Sequence, residues 1–270
     1  MAGIATACPV CGGARTYVFT QLLLSKHHVD YFSCDGCGLL QTETPHWLDE
    51  AYGRAIADLD TGLLARNLSV ARRISTLLHL WFEPRARFLD MAGGYGILTR
   101  LMRDAGFHFY WDDPYCENLF ARGFEAAAAE SFAAVTAIEV LEHVQDPYEF
   151  LMRALSRSRE GVVIVTTELF SGSPPARDWW YYTPDTGQHV SFYQLRTLHA
   201  LADRLRCQLL SYGTLHVFTR SRRSPMLAAA ATGRLGRMSV GVVRRRRSSL
   251  TFADHITLAK RLSAPGRVES

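Results

Sequence analysis

Lysine is almost missing from this chain: of 30 basic side chains only Lys26 and Lys260 are lysine, and the rest are arginine. We read that bias as genomic codon usage and not as function. Long apolar runs are missing too, since none approaches the ~18 unbroken residues of a membrane-spanning helix. With 48% apolar residues, the 270-residue chain has enough for one large α/β domain and a small appendage, and is too polar for a membrane protein. Met1 to Ala7 lacks a basic stretch followed by an apolar one, so a secretory signal is not expected. The expected location is the cytoplasm, with the periphery of the inner membrane as the variant. No internal repeat is evident. Acidic charge is scarce at one end. Residues 221–270 hold 11 Lys+Arg against 2 Asp+Glu, a balance of +9, while residues 1–220 hold 19 against 24, or −5; the sum is +4.

Cysteine is sparse but concentrated. Four of six cysteines form Cys8-Pro9-Val10-Cys11-Gly12 and Cys34-Asp35-Gly36-Cys37-Gly38, with 22 residues between Cys11 and Cys34. Each C-x-x-C-G turn aims two thiolates at one point, and the pair of turns fits a closed, structural four-thiolate zinc site at Cys8, Cys11, Cys34 and Cys37. Two disulfides or a redox dithiol are the other readings; a reducing cytoplasm disfavours the first and the doubling of the motif the second. Arg15–Leu22 and Val29–Ser33 read as strands of a small ribbon. Cys116 and Cys207 stand alone and are expected to be small buried hydrophobes.

The stretch Phe88-Leu89-Asp90-Met91-Ala92-Gly93-Gly94-Tyr95-Gly96 reads as a parallel strand turning into a helix. Its glycines admit a close ligand and its helix N-terminus offers unpaired N–H groups; a plain tight turn is the other reading. Asp112 and Asp113 close the next apolar segment a little over 20 residues on, where an acid can reach ribose hydroxyls. A further strand, Val135–Ile138, runs into Glu139-Val140-Leu141-Glu142-His143. With these residues the chain resembles the class I S-adenosylmethionine-dependent methyltransferases over roughly residues 62 to 220.

The resemblance implies a Rossmann-like α/β sheet, mostly parallel with an antiparallel final strand. It implies an S-adenosylmethionine site at Asp90, Ala92, Gly93, Gly94, Gly96, Asp112, Asp113 and Glu139. Two positions depart from the family pattern. Ala92 replaces the first glycine and narrows the space near the methionine part of the cofactor; alanine holds many of the same dihedrals, so tolerance is expected. Ala133 stands where the family commonly has an acid. Three segments follow: a zinc ribbon at 1–45, the methyltransferase domain at 46–220 and a basic extension at 221–270.

Helices are expected over Leu48–Leu59, Leu63–Trp81, Ile97–Ala105, Asp113–Leu119, from Asp146-Pro147, over Tyr193–Leu205 and over Leu250–Leu262. A stubby strand is expected at Phe124–Ala127, a fully buried one at Val162–Val165, and an antiparallel pair at Arg206–Ser211 and Leu215–Arg220.

On a helical turn Glu139, Glu142 and His143 share a face and make a candidate site for a second divalent metal, similar to that of ubiquinone-type and small-RNA O-methyltransferases; a metal there would lower the pKa of an acceptor hydroxyl. In the other reading Glu139 lines the cofactor and His143 orients the loop. His189, in the aromatic-rich connection Asp178–Tyr193 where this family builds its acceptor pocket, is the general-base candidate, with a helix-start structural role as its alternative. The catalytic set is therefore His189, His143 and Glu142.

The zinc ribbon, the E-V-L-E-H turn and G-Q-H-V-S-F-Y together look like bacterial enzymes of sugar and surface-polysaccharide pathways. O- or C-methylation of a small-molecule or carbohydrate-type acceptor is the leading reading. An rRNA methyltransferase is the second, although residues 8–38 carry only Arg15 and Lys26 as fixed cations. A non-catalytic scaffold on a methyltransferase fold is the third. The basic extension is read as a contact for an anionic membrane surface, a nucleic acid or a phosphorylated substrate, or as a solvated or self-packing surface segment.

Overall fold

A computed structural model describes residues 7–53 and 60–263, with the side chains of Arg237 and Arg244 outside the description. In chain order the elements are β1 (Arg15–Leu23), β2 (His27–Cys34), β3 (Leu40–Thr42), α1 (Leu48–Ala51), α2 (Leu63–Trp81), β4 (Arg87–Met91), α3 (Ile97–Asp104), β5 (His108–Asp112) and β6 (Phe132–Ile138). Then come α4 (Pro147–Ser156), β7 (Ser158–Thr166), β8 (Ser191–Phe192), α5 (Leu195–Leu205), β9 (Gln208–Tyr212), β10 (Leu215–Thr219), α6 (Pro225–Thr232), α7 (Arg234–Arg246) and α8 (Thr251–Ser263). Two compact units, each discontinuous in sequence, divide the chain: Met1–Asp60 with Ala134–Ser224, and Thr61–Ala133 with Pro225–Ser270. They do not coincide with the boundaries expected at residues 45 and 220. The expectation for residues 1–6 and for the second half of the Leu48–Leu59 helix falls outside the described residues.

In the first unit, β1 and β2 form the ribbon hairpin, β2 pairs with β3, and β3 pairs in turn with β8 through Leu40↔Phe192 and Gln41↔Ser191. The ribbon thus borrows its last strand from a segment 150 residues away. Phe19, Tyr31, Trp47, Tyr181, Tyr182 and Phe192 fill the core beneath it. Tyr181 and Tyr182 are therefore core, whereas the indole of Trp180 is 68% exposed. Helix α5 holds both cysteine turns: Thr197 donates to the Cys37 carbonyl (2.8 Å) and Arg204 to that of Val10 (3.0 Å).

The same unit holds four neighbouring strands in the order β6-β7-β10-β9. Val162 to Val165 of β7 are fully buried, each contributing about 1.5–3 kcal/mol by leaving water. Strand β10 runs antiparallel to both β7 and β9, the reversal expected of this sheet. Helix α4 starts as its sequence dictates: the Asp146 carboxylate accepts from the Glu149 N–H at 2.9 Å and Pro147 occupies the first turn.

In the second unit β4 and β5 are parallel, from Arg87↔His108 to Met91↔Asp112. Helix α2 buries Val70, Ile74, Leu77, Leu78 and Trp81, one stripe at helical spacing, while Leu64 and Leu68 of its first turns stay exposed. No helix forms over Asp113–Leu119, and the stubby strand at Phe124–Ala127 is reduced to a single bridge, Trp111↔Glu125. Side chains win there: Asp113 caps the N–H groups of Tyr115 and Cys116, and Asn118 caps that of Ala121. Cys116 and Cys207 are half-buried rather than buried. Among the described residues no helix is long and apolar enough to cross a membrane.

Candidate functional site

Ligand-type side chains gather at three places, one in the second unit and two in the first. In the second unit, Ala92 directly follows β4 with φ 53°, a left-handed conformation that costs a non-glycine residue about 1 kcal/mol or more. Gly94 and Gly96 follow with φ 54° and 83°. Trp111 explains Gly93: a β-carbon there would lie 2.9 Å from its ring and 3.0 Å from Asp90 Oδ2. The Trp111 indole also donates to the Gly94 carbonyl at 2.7 Å. Asp90 is buried and accepts from the Thr99 hydroxyl (3.2 Å).

Asp113 is committed to the loop. One oxygen accepts from the Gly94 N–H (2.9 Å), and the other from the N–H groups of Tyr115 (2.8 Å) and Cys116 (3.0 Å). Asp112, the last residue of β5, is the carboxylate at the strand's end. Beyond Gly96 the first N–H groups of α3 have no carbonyl of their own helix to bond. A glycine turn with no room for side chains, an unpaired helix start and an acid at each strand end fit a nucleoside ligand.

In the first unit, Glu139 and the turn after it do not share one face as expected. Glu139 directly follows β6 with φ 55°, before the single 3₁₀ turn Leu141–His143 begins. Its carboxylate turns to β7, where the Thr166 hydroxyl donates to it at 2.6 Å and accepts from the Glu139 N–H at 2.9 Å. In its place His189 joins the group: one ligand atom each of Glu142, His143 and His189 lies within 4.8 Å of the others. The two imidazoles meet edge to face with centroids 4.8 Å apart.

Glu142 is 1% exposed, and neither carboxylate oxygen has a hydrogen-bond partner. Burial first and the Glu139 charge second push it up to about 8. Burial, then the neighbouring His189, pushes His143 down to about 3. A carbonyl only accepts, so His189 Nδ1 donates to the Tyr181 carbonyl at 2.7 Å, which leaves Nε2 of that ring facing the group. His143 Nδ1 lies 2.9 Å from the Tyr52 hydroxyl and 3.2 Å from the Gln188 carbonyl, and accepts from the first in one tautomer or donates to the second in the other. An unpaired buried carboxylate beside two imidazoles fits a divalent cation and equally fits proton transfer.

The third group is Cys8, Cys11, Cys34 and Cys37, whose sulfurs lie within 4.8 Å of one another. Cys8 and Cys37 are 3.6 Å apart and Cys11 and Cys34 3.4 Å, too far for disulfides. A zinc tetrahedron with ~2.3 Å bonds has sulfur–sulfur edges of about 3.8 Å, so the four sulfurs fit one. The knuckle glycines Gly12 and Gly38 have φ 74° and 78°, and their N–H groups close the turns onto the carbonyls of Cys8 and Cys34.

Trp111, Tyr52, Tyr181, Gln188 and Thr166 escaped the sequence reading. Gln188 and Tyr181 flank His189 within ten residues, a proximity that could have flagged them. Tyr52 lies 91 residues from His143 and carries no local signal.

Residues 64–212, just over half of the chain, match the methyltransferase domain family, and the chain belongs to that family. It is a methyltransferase of Rossmann-like α/β fold. The glycine loop and the Glu142 cluster lie inside the match, and the cysteine ribbon lies outside it. Similar solved structures include magnesium protoporphyrin IX methyltransferase of Synechocystis PCC 6803 with bound SAH, at 12% identity and TM-score 0.44, covering 64% of this chain and 93% of that one. Others are the mitomycin 7-O-methyltransferase MmcR (13%, TM-score 0.46, 66% and 61%) and human N-acetylserotonin methyltransferase in complex with SAM (13%, 0.44, 65% and 66%). The chain thus spans less than two thirds of the last two. No curated protein matches the sequence.

Proposed function

We propose that this methyltransferase moves the methyl group of S-adenosylmethionine to a hydroxyl of a small-molecule or carbohydrate-type acceptor activated by Glu142, His143 and His189. The observation that carries this reading is the buried Glu142 carboxylate, unpaired on both oxygens beside two imidazoles, of which His189 presents Nε2 because its Nδ1 donates to the Tyr181 carbonyl. Bound S-adenosylmethionine supplies an electrophilic methyl on a sulfonium. Asp112 would hold the ribose hydroxyls, Asp113 the shape of the loop, and Asp90, Ala92, Gly93, Gly94 and Gly96 the amino-acid end. Glu139, tied to Thr166, lines the cofactor side of β6.

Glu142, His143 and His189 would hold a divalent ion, which when bound lowers the pKa of an acceptor hydroxyl. The Tyr181 carbonyl keeps the His189 ring in the ligating tautomer. The fixed tautomer of His189 also supports a metal-free course in which its Nε2 takes the acceptor's proton. Cys8, Cys11, Cys34 and Cys37 would hold a structural zinc: all four positions are protein-filled, which leaves none for substrate.

The test is transfer of labelled methyl from S-adenosylmethionine to a panel of nucleotide sugars, lipid-linked glycans, small phenols and rRNA fragments, before and after chelation. Label on a sugar or small hydroxyl, lost in His189→Ala by about 10²–10⁴-fold, is expected. Label on RNA alone would replace the acceptor assignment, and absence of cofactor binding in zinc-loaded protein would leave a scaffold. Recovery of the chelated enzyme by Mg²⁺ or Mn²⁺, absent in Glu142→Gln, separates the metal course from the proton-transfer course.

A further inference from the structure

The C-terminal extension is no solvated arm, because half of it is anchored inward. Arg103 of α3 grips Asp254 of α8 through two hydrogen bonds of 2.8 and 2.6 Å, both residues being buried. Arg247, just past α7, is buried with its guanidinium 4.1 Å over the Phe107 ring and donates to the Pro84 carbonyl (3.0 Å). Along α7 itself, the Gly236 carbonyl accepts from the Thr76 hydroxyl of α2 at 2.8 Å, and Val243 is 3% exposed.

The opposite face of α7 is what this anchoring leaves outside. Leu235, Met238 and Val242 are 71%, 74% and 53% exposed. At 100° per residue they fall within about 60° of arc. Arg234 and Arg245 lie along one edge of that stripe and Arg246 along the other, all exposed, and α7 contains no acidic residue. The pattern extends beyond α7. Eight of the 19 large exposed apolar side chains among the described residues lie in 225–263, less than a sixth of the chain.

We propose that α7, with the helices around it, docks the protein on an anionic membrane surface. Aliphatic side chains can enter the acyl boundary while flanking guanidinium groups remain with the phosphates and anionic headgroups. The alternatives explain only part of the pattern. Nucleic acid rewards the arginines but not an aliphatic stripe, and α7 has no aromatic ring for a base to stack on. A second copy would bring arginine edges of the same sign together.

The full chain would be sedimented with vesicles of phosphatidylcholine alone and of phosphatidylcholine with phosphatidylglycerol. Binding to the second only, weakened by salt, is expected. Leu235→Gln/Met238→Gln/Val242→Gln should weaken it at least tenfold, and Arg245→Gln/Arg246→Gln by roughly twentyfold, about fivefold per cation. All five positions are exposed, so thermal melting should match the parent protein, and the arginine pair tests the idea if the apolar triple fails to fold. Equal binding to neutral vesicles, no binding to either, or unchanged binding of both variants overturns the proposal. So does a dimer, or an rRNA complex without vesicle binding, that the same substitutions abolish. Methyl transfer to a soluble acceptor should be unchanged in both variants, so this surface and the catalytic reading fail separately.

Discussion

The four cysteines come from two five-residue turns, each set by its own glycine. Glu142, His143 and His189 come instead from a 3₁₀ turn after β6 and a connection 46 residues on. The first group is closed: backbone N–H groups shape it, α5 clamps it, and its sulfurs stand at zinc-like spacing. The second is under-satisfied: a carboxylate is buried without a partner and a half-buried imidazole is held in its neutral form. On the proposed reading, local spacing produces a structural site, whereas convergence of distant segments on a buried, unpaired carboxyl group produces a reactive one. Substitutions in the first group should therefore cost stability, and in the second activity.

The largest effect should come from Cys34→Ser. Zinc binding in small Cys-ligated modules is worth roughly 10 kcal/mol or more of folding free energy. Part of that should be lost with one ligand, together with the ordered ribbon and the β3–β8 pairing. Expected outcomes are a metal content below one zinc per chain and loss of the ribbon's amide protection in hydrogen exchange. A metal-free variant with parental melting and protection would erase the contrast.

Glu142→Gln should do the reverse. It removes a carboxyl group that burial forces to hold a proton while keeping the shape, so melting should hold or rise, and methyl transfer should fall by about 10²–10⁴-fold. In metal-free protein the pH dependence follows from sign. A folded-state pKa of about 8 lies above the usual carboxylate value of 4.5, so the native state holds a proton that the unfolded chain releases. The associated stability is present below pH 4.5 and fades as pH rises toward 8, by at most about 1.4 kcal/mol per unit. His143 runs the other way, its stability fading as pH falls from 6.5 toward 3. Urea denaturation from pH 6.5 to 8, parent beside Glu142→Gln, gives the Glu142 slope as the difference between the two, because the Cys8 thiol, held down to about 5 by its hydrogen bond with Cys37, contributes to both alike. Equal slopes would remove the buried carboxylate as their cause.

Inside the nucleotide loop the same contrast recurs between adjacent acids. Asp112→Asn should weaken S-adenosylmethionine by about 10–100-fold, the cost of hydrogen bonds to a charged group. Asp113→Asn leaves one oxygen for three N–H donors and should lower melting as well as affinity. Calorimetry beside thermal melting tells them apart, and equal effects at both positions would dissolve the division of labour.

What the sequence made legible was local. The cysteine turns, the Asp90–Gly96 loop, the buried β7 and helix α2 from Leu63 to Trp81 all stand where their spacing put them. What it hid was set by competition or distance. The turn chemistry of Asp113 and Asn118 displaced an expected helix. A positive φ at Glu139 took its carboxylate off the Glu142–His143 face. Ser191 and Phe192 joined a ribbon that begins some 175 residues earlier, a pairing that periodicity does not encode. The block Arg244–Arg247 gave no sign of which arginine packs inward, and Arg247 is buried over Phe107 because arginine offers a flat face as well as a charge.

The smallest effect concerns Ala92, whose left-handed φ of 53° glycine would adopt without strain. Ala92→Gly relieves about 1–2 kcal/mol in the folded state, and returns about 0.4–1 kcal/mol as added freedom of the unfolded chain. The net gain should be near 0.5–1 kcal/mol, a rise in Tm of roughly 1–4 °C for a chain of this size. Removing the methyl group also widens the loop beside Gly93, so cofactor affinity should rise or hold. Stabilisation together with tighter binding would mean that alanine here is a tolerated strain on a working loop. A fall in both would mean that the methyl group packs usefully, and the loop would then belong with the closed cysteine site and not with the strained, reactive one.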